Sequence, residues 1–305
     1  RFLNRSQPRL ALIMETELWP NLFHQCHARA IPLLLANVRL SEKSAHGYRR
    51  FASLTRATLA KVHAVGAQAT DDAERMRELG AKEVEVTGNI KFEMEIPADL
   101  AAKGTSLRSS FGSRPVWIAA STREGEEPLV LQAFKQLRGD FPNLLLVLVP
   151  RHPERFESVA KLCTQYGFTV ERRSALLNRV APETAVFLGD SMGELLFFYS
   201  AADVAFVGGS LVPLGGQNLL EAAALAVPVV FGPHMFNFQE ISRMALERGA
   251  GRQVNNATQL ADVVAEYLRN SGASRTAGEA GRRMVADNRG ALAKTLALVK
   301  RAYPA

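Results

Sequence analysis

The sequence predicts an α/β protein of two facing Rossmann-like domains on parallel sheets, the first of them incomplete. Three observations carry this expectation. Short apolar runs alternate with helical patterns along the whole chain, joined by short connections, as βαβ units around parallel strands require. The length of 305 residues allows about two domains, each able to bury a core. The alternation lapses once, across EMEIPADLAAKGTSLRSSFGSRP, where Pro97, Gly104, Gly112 and Pro115 interrupt it. A boundary is therefore expected near residues 92–114, dividing the chain into 1–95 and 96–305, with the last helix able to pack back on the first domain.

In the first domain, LALIM (Leu10 to Met14) reads as strand, NLFHQCHARA as helix and IPLLLANV as strand. FASLTRATLAKV and DDAERMRELGA read as helices, each followed by a strand, HAVGAQ and VEVTGN. Four strands are few for a complete doubly wound domain. The second domain is fuller. VWIAAS, LLLVLV, AVFLGD, DVAFVGG and VPVVFGP read as strands, separated by helices such as EEPLVLQAFKQLRGDF and ERFESVAKLCTQYG. Two helical patterns, TQLADVVAEYLRN and ALAKTLALVKRAY, finish the chain.

Composition narrows the function. The formal charge of +7 favours anionic partners: a nucleotide, a phosphate, nucleic acid or an anionic membrane surface. Nucleic acid is disfavoured, because the basic residues are scattered and no recognition module appears. No apolar run approaches the ~20 residues of a membrane span, and no signal peptide is visible. The chain opens on Arg1 and reaches a strand almost at once, so an upstream piece, with any membrane anchor, is expected to be missing. Cys26 and Cys163 make neither a disulfide framework nor a paired ligand set. His24, Cys26 and His27 lie in a helical pattern with no second cluster to complete a zinc site, so no metal is expected.

Ligands of such folds sit at the carboxyl ends of the strands, and the polar motifs gather there. Gly208 and Gly209 follow the strand DVAFV, where glycine lets backbone approach a ligand closely. A helix start near Asn218 would offer free amides to an anion. Glu221, three residues on, either closes a capping box with Asn218 or accepts hydrogen bonds from a ribose diol. GDSMGEL repeats the pattern: Ser191 and Glu194 have capping-box spacing, or the backbone of Met192, Gly193 and Glu194 lines a base pocket. Pro150 and Arg151 end LLLVLV, and arginine's planar fork suits a phosphate. Glu15 and Glu17 follow the first strand and Lys91 follows VEVT; each is also an ordinary surface residue type. ASTREGEE occupies another strand end with no role evident. A P-loop and a dinucleotide fingerprint are both absent.

As a set, METELWPN, TGNIKF, ASTREGEE, VPRHPERF, GDSMGELLFFYSAADVAFVGGSLV and GGQNLLEAA resemble the lipid A 3-deoxy-D-manno-octulosonic acid (Kdo) transferases over about Leu10 to Tyr303. The resemblance implies a GT-B fold and transfer of Kdo from CMP-Kdo to the lipid A precursor in lipopolysaccharide synthesis. It implies an inverting reaction without metal or cofactor, at the cytoplasmic face of the bacterial inner membrane. It places Pro150 and Arg151, then Met192, Gly193 and Glu194, then Asn218, Leu219, Leu220 and Glu221 on CMP. It gives Glu15 and Lys91 to transition-state stabilisation. Family members also carry an early Glu as general base, which neither Glu15 nor Glu17 matches, so this chain alone is expected to transfer little or nothing. The alternatives are another GT-B transferase or epimerase using a UDP-sugar, or a catalytically silent nucleotide-binding fragment.

Overall fold

The structure, a computed structural model, describes residues 1–176 and 178–303. Contacts divide it into two compact units, Arg1–Glu93 with Asn288–Ala305, and Met94–Asp287.

The first unit holds four parallel strands in the order β1 (Ala11–Met14), β2 (Leu33–Val38), β3 (Ala64–Ala67) and β4 (Val84–Val86). All six residues of β2 are buried, because both faces of this inner strand are covered. At the edge, β1 alternates, leaving Leu12 and Met14 exposed. Helices α1 (Phe2–Ser6), α2 (Pro20–His27), α3 (Glu42–Arg49), α4 (Ala52–Leu59) and α5 (Thr70–Glu78) accompany this sheet. Proline at the first position of α2 pre-sets the helical φ where no amide donor is needed. The side chain of Ser41 caps α3 by accepting from the amide of Ser44.

The second unit is a seven-stranded parallel sheet. Its strands are β5 (Val116–Thr122), β6 (Leu145–Pro150), β7 (Val170–Arg172), β8 (Val186–Leu188), β9 (Val204–Val207), β10 (Val229–Phe231) and β11 (Gly251–Gln253). Their order is β11-β10-β9-β5-β6-β8-β7. Central β5 is buried at all seven positions, between β9 and β6. The helices are α6 (Leu100–Phe111), α7 (Glu127–Asp140), α8 (Phe156–Gln165), α9 (Leu195–Ser200), α10 (Leu220–Ala224), α11 (Gln239–Glu247), α12 (Ala257–Arg269) and α13 (Ser271–Asp287). Trp117, Phe134, Leu146, Phe206 and Leu260 share the core on one side of the sheet.

Three features depart from the expectation, and the last helix takes the packing that was allowed for it. The stretch expected to be a boundary contains α6, whose Leu100, Leu107 and Phe111 are buried. Its apolar pattern is diluted by Gly104, Thr105 and Ser106, and packing on α9 holds it: a Cβ at Gly104 would stand 2.2 Å from the Ser200 hydroxyl. The edge strands β7 and β11 are three residues long and mostly polar, so no apolar run announced them. Helix α13 is rich in Gly, Ser and Arg. It forms because Gly278 and Gly281 let it lie directly on the backbone of Ala226 and Ala223. The last helix, α14 (Ala291–Ala302), lies in the 96–305 segment but packs back on the first unit, in keeping with the sequence expectation. Leu298 and Ala302 pack there on Leu34 of β2 and Ala64 of β3. The Glu93 carboxylate accepts from the amides of Gly290 at 2.5 Å and Leu292 at 3.3 Å, closing the start of α14.

Candidate functional site

The polar residues of the second unit collect at the carboxyl ends of its strands. Arg151 directly follows Pro150, the buried last residue of β6; its amide donates to the Thr122 carbonyl at 3.0 Å and its side chain is exposed. The turn beyond it is anchored from below. Arg155 donates two hydrogen bonds, at 2.6 and 3.1 Å, to the fully buried Glu127 carboxylate, a two-pronged geometry that fixes orientation as well as distance.

Glu221 lies in the first turn of α10. Burial pushes its carboxyl up from the usual carboxylate range, against the hydrogen bond from Asn218 and the positive charge of Arg151. Arg151 and Glu221 are thus brought within electrostatic reach, although 70 residues apart in sequence. The Asn218 side chain accepts from the Leu220 amide at 3.1 Å and donates to Glu221 at 3.3 Å. A local cap and an oriented carboxylate therefore coexist. Leu219 and Leu220 are fully buried, so only their backbone is available to a ligand.

The Gly189–Leu195 stretch ends β8 and begins α9. Glu194 accepts from Arg173 at 3.1 and 2.9 Å and from the Ser191 hydroxyl. Burial raises its carboxyl, but the Arg173 and Ser191 hydrogen bonds and the charges of Arg173 and Lys103 outweigh that and hold it below its ordinary value. Gly193 adopts φ +80°, a conformation natural to glycine, and Met192 beside it is exposed. Lys103, Arg173, Gly193, Glu194 and Phe197 line a cavity of about 510 Å³, with the Arg173 guanidinium 5.5 Å from the Phe197 ring centre.

In the glycine bend after β9, Gly208 makes a close approach to backbone: a Cβ there would stand 2.7 Å from both the Ser121 carbonyl and the Thr122 Cα. The amides of Gly209, Ser210 and Leu211 donate to the carboxylate of Glu126, at 2.5, 2.8 and 2.9 Å. A fourth amide, of Arg123, reaches it at 3.0 Å. Glu126 is fully buried; burial pushes its carboxyl up, and the four amides pull it back in part. No signal in the sequence singles out Glu126, since only the fold brings residue 126 to residues 209–211.

In the first unit, Glu15 follows β1 and Lys91 lies in the turn after β4. Glu15 is exposed and takes φ +61°, a strained value outside glycine, of the kind concentrated at functional sites. Its amide donates to the Ala36 carbonyl at 2.8 Å. The Lys91 turn is held by Asn89, whose side chain accepts from the Lys91 amide at 2.9 Å, and by buried Asn37, which accepts from Ile90 at 3.0 Å. Both residues sit on the carboxyl edge of one sheet but on its two outer strands; at ~4.8 Å per strand their anchors stand roughly 14 Å apart. Cys26 is buried in the core, which raises its thiol pKa, while His24 and His27 are exposed. No group of three His, Cys, Asp or Glu gathers as a metal site among the described residues.

Two units with parallel sheets, and polar groups at the strand ends, are the features of a GT-B glycosyltransferase. A solved glycosyltransferase from Rickettsia africae superposes with a TM-score of 0.62 over 99% of this chain and 79% of that one, at 15% identity, which bears on the fold alone. The family model for 3-deoxy-D-manno-octulosonic-acid transferase matches residues 1–94, and the model for glycosyl transferases group 1 matches 126–284. The 3-deoxy-D-manno-octulosonic acid transferase of Haemophilus influenzae is 45% identical over 98% of this chain and 71% of its own length. The C-terminal CMP-Kdo binding domain of WaaA from Acinetobacter baumannii is 33% identical, with a TM-score of 0.59 over 62% of this chain and 99% of that domain. The chain belongs to the 3-deoxy-D-manno-octulosonic acid transferase family.

Proposed function

We propose that the second unit holds CMP-Kdo and that the protein transfers Kdo from it to the lipid A precursor, with inversion and without metal or cofactor. The gathering of Arg151 and Glu221 at strand ends of the same unit, with the Arg151 charge acting on the Glu221 carboxyl, carries this reading: a cation suited to the CMP phosphate and a carboxylate able to accept from the ribose hydroxyls belong to one unit. The backbone of Met192, Gly193 and Glu194 lines the cytosine, and Asn218 orients Glu221, with Pro150, Leu219 and Leu220 contributing backbone. Lys91 and Glu15 of the first unit serve transition-state stabilisation, a role in which a fixed cation suits developing negative charge. The net charge of +7 suits an acceptor bearing phosphates at the cytoplasmic face of an anionic inner membrane. No described helix is long and apolar enough to cross a membrane.

Calorimetry of CMP against UMP tests the donor assignment. CMP is expected to bind more tightly. Arg151→Ala is expected to weaken it at least about tenfold, the scale of a lost charge-assisted hydrogen bond, with little change in melting temperature because the side chain is exposed. Tighter binding of UMP would point to a UDP-sugar donor instead.

A further inference from the structure

We infer that Glu126 is a positioning residue for the donor nucleotide: its buried carboxylate holds the 209–211 loop, and through that loop sets the place of the Gly215–Glu221 segment. The inference rests on the donor-site reading above and adds a residue that the reading does not contain.

The geometry is a chain of fixed links. One carboxylate oxygen, Oε2, accepts from Gly209 and Arg123, and the other, Oε1, from Ser210 and Leu211. Glu126 also precedes the first residue of α7, so its own backbone is fixed by that helix. The Gly209 carbonyl, in the residue whose amide is held by this grip, accepts from the Gly216 amide at 2.7 Å. Gly215 and Gly216 both have positive φ, and Asn218 and Glu221 follow directly. The loop is also tied to β10: the Ser210 hydroxyl accepts from Gly232 at 2.8 Å, and the Ser210 carbonyl from His234 at 3.0 Å. Among the described residues, four backbone amides are the hydrogen-bond partners of the carboxylate, so amide dipoles face its charge. The three loop amides therefore face inward and are not donors to a ligand. What the loop contributes to binding is position.

Two alternative roles predict different outcomes. A purely structural clamp predicts lost stability with ligand affinity intact in whatever remains folded. A loop that binds phosphate directly predicts that its amides change partner when the nucleotide arrives.

The experiment uses the 305-residue chain, CMP as the probe, and Glu126→Gln, which keeps the side-chain size but replaces one accepting oxygen with a donor. Two of the four donating amides then meet an NH2 group, whichever way the amide is turned, and at least one of them belongs to the 209–211 loop. Folded E126Q, checked by its thermal transition, is expected to bind CMP at least about tenfold more weakly than the wild type. Amide exchange at Gly216, followed by NMR, is expected to be faster in E126Q. In the wild type, the amides of Gly209, Ser210 and Leu211 are expected to be protected without CMP and unchanged by it. Folded E126Q that binds CMP as tightly as a binding-competent wild type overturns the proposal and leaves the donor site standing. A wild type that binds no CMP sinks the donor-site reading and this inference with it. Should E126Q not fold, wild-type exchange decides: protection of the three loop amides only in the presence of CMP overturns the proposal, as does protection in both states with Gly216 exchange indifferent to CMP, whereas protection in both states with Gly216 exchange slowed by CMP supports it.

Discussion

Glu221 shows how one side chain can carry a local and a distant role together. Its partner Asn218 lies three residues away, as any helix start could supply, but Arg151 comes from another strand. Burial leaves its folded-state pKa above the ordinary 4.5, so the folded state holds the proton more tightly than the unfolded chain. This contribution to stability is full below about pH 4.5 and is lost as pH rises through the folded value. Glu221→Gln removes that loss. Urea unfolding across pH 4 to 8 should show the variant gaining stability relative to wild type as pH rises; a constant difference would mean that this carboxyl is not desolvated. Glu194 has the opposite sign, because Arg173 holds it low, and its contribution is lost as pH falls.

Among the elements, the loops after β5, β9 and β10 behave as one layer. Glu126 at the start of α7 grips the loop after β9, and that loop is pressed against the backbone following β10. A Cβ at Gly232 would stand 2.2 Å from the Ser210 carbonyl oxygen and 2.4 Å from the Leu211 nitrogen. Neither atom can retreat, since the adjoining amides are tied to Glu126. Gly232→Ala should therefore cost roughly 1–3 kcal/mol, the range for overpacking a fixed site, read as a lower urea midpoint. An unchanged midpoint would show the layer to be compliant. Helix α13 makes a similar approach, with a Cβ at Gly278 falling 1.9 Å from the Ala226 carbonyl. In both places glycine is needed for contact between backbones, where the sequence alone suggests a turn or a ligand.

The whole molecule consists of one continuous unit and one assembled from two chain segments. Residues 94–287 hold their own sheet and core, whereas residues 1–93 leave Leu34 and Ala64 uncovered without Leu298 and Ala302 of α14. The expected outcome is that a 94–287 fragment unfolds cooperatively and binds CMP within about threefold of the full chain, about 0.65 kcal/mol by the usual conversion. A 1–93 fragment is expected to lack a cooperative transition by circular dichroism. A molten 94–287 fragment, or a cooperatively folded 1–93 fragment, would contradict this division.

The sequence by itself determined the alternation of strands and helices, the parallel sheets and the family, because buried parallel strands must be apolar runs and because several strand-end motifs occur together. It placed Arg151, Glu194 and Glu221 at strand ends by the same logic. The short polar strands β7 and β11 and the helices α6 and α13 were not legible, since their stability comes from neighbours and not from their own pattern. Only the tertiary structure decided which strands α14 covers in the first unit, that the Arg151 charge acts on Glu221, and that the amides of the glycine bend turn inward to Glu126. Each of these depends on residues far apart in sequence, and a buried amide or carboxylate must find its partner wherever the packed chain provides one.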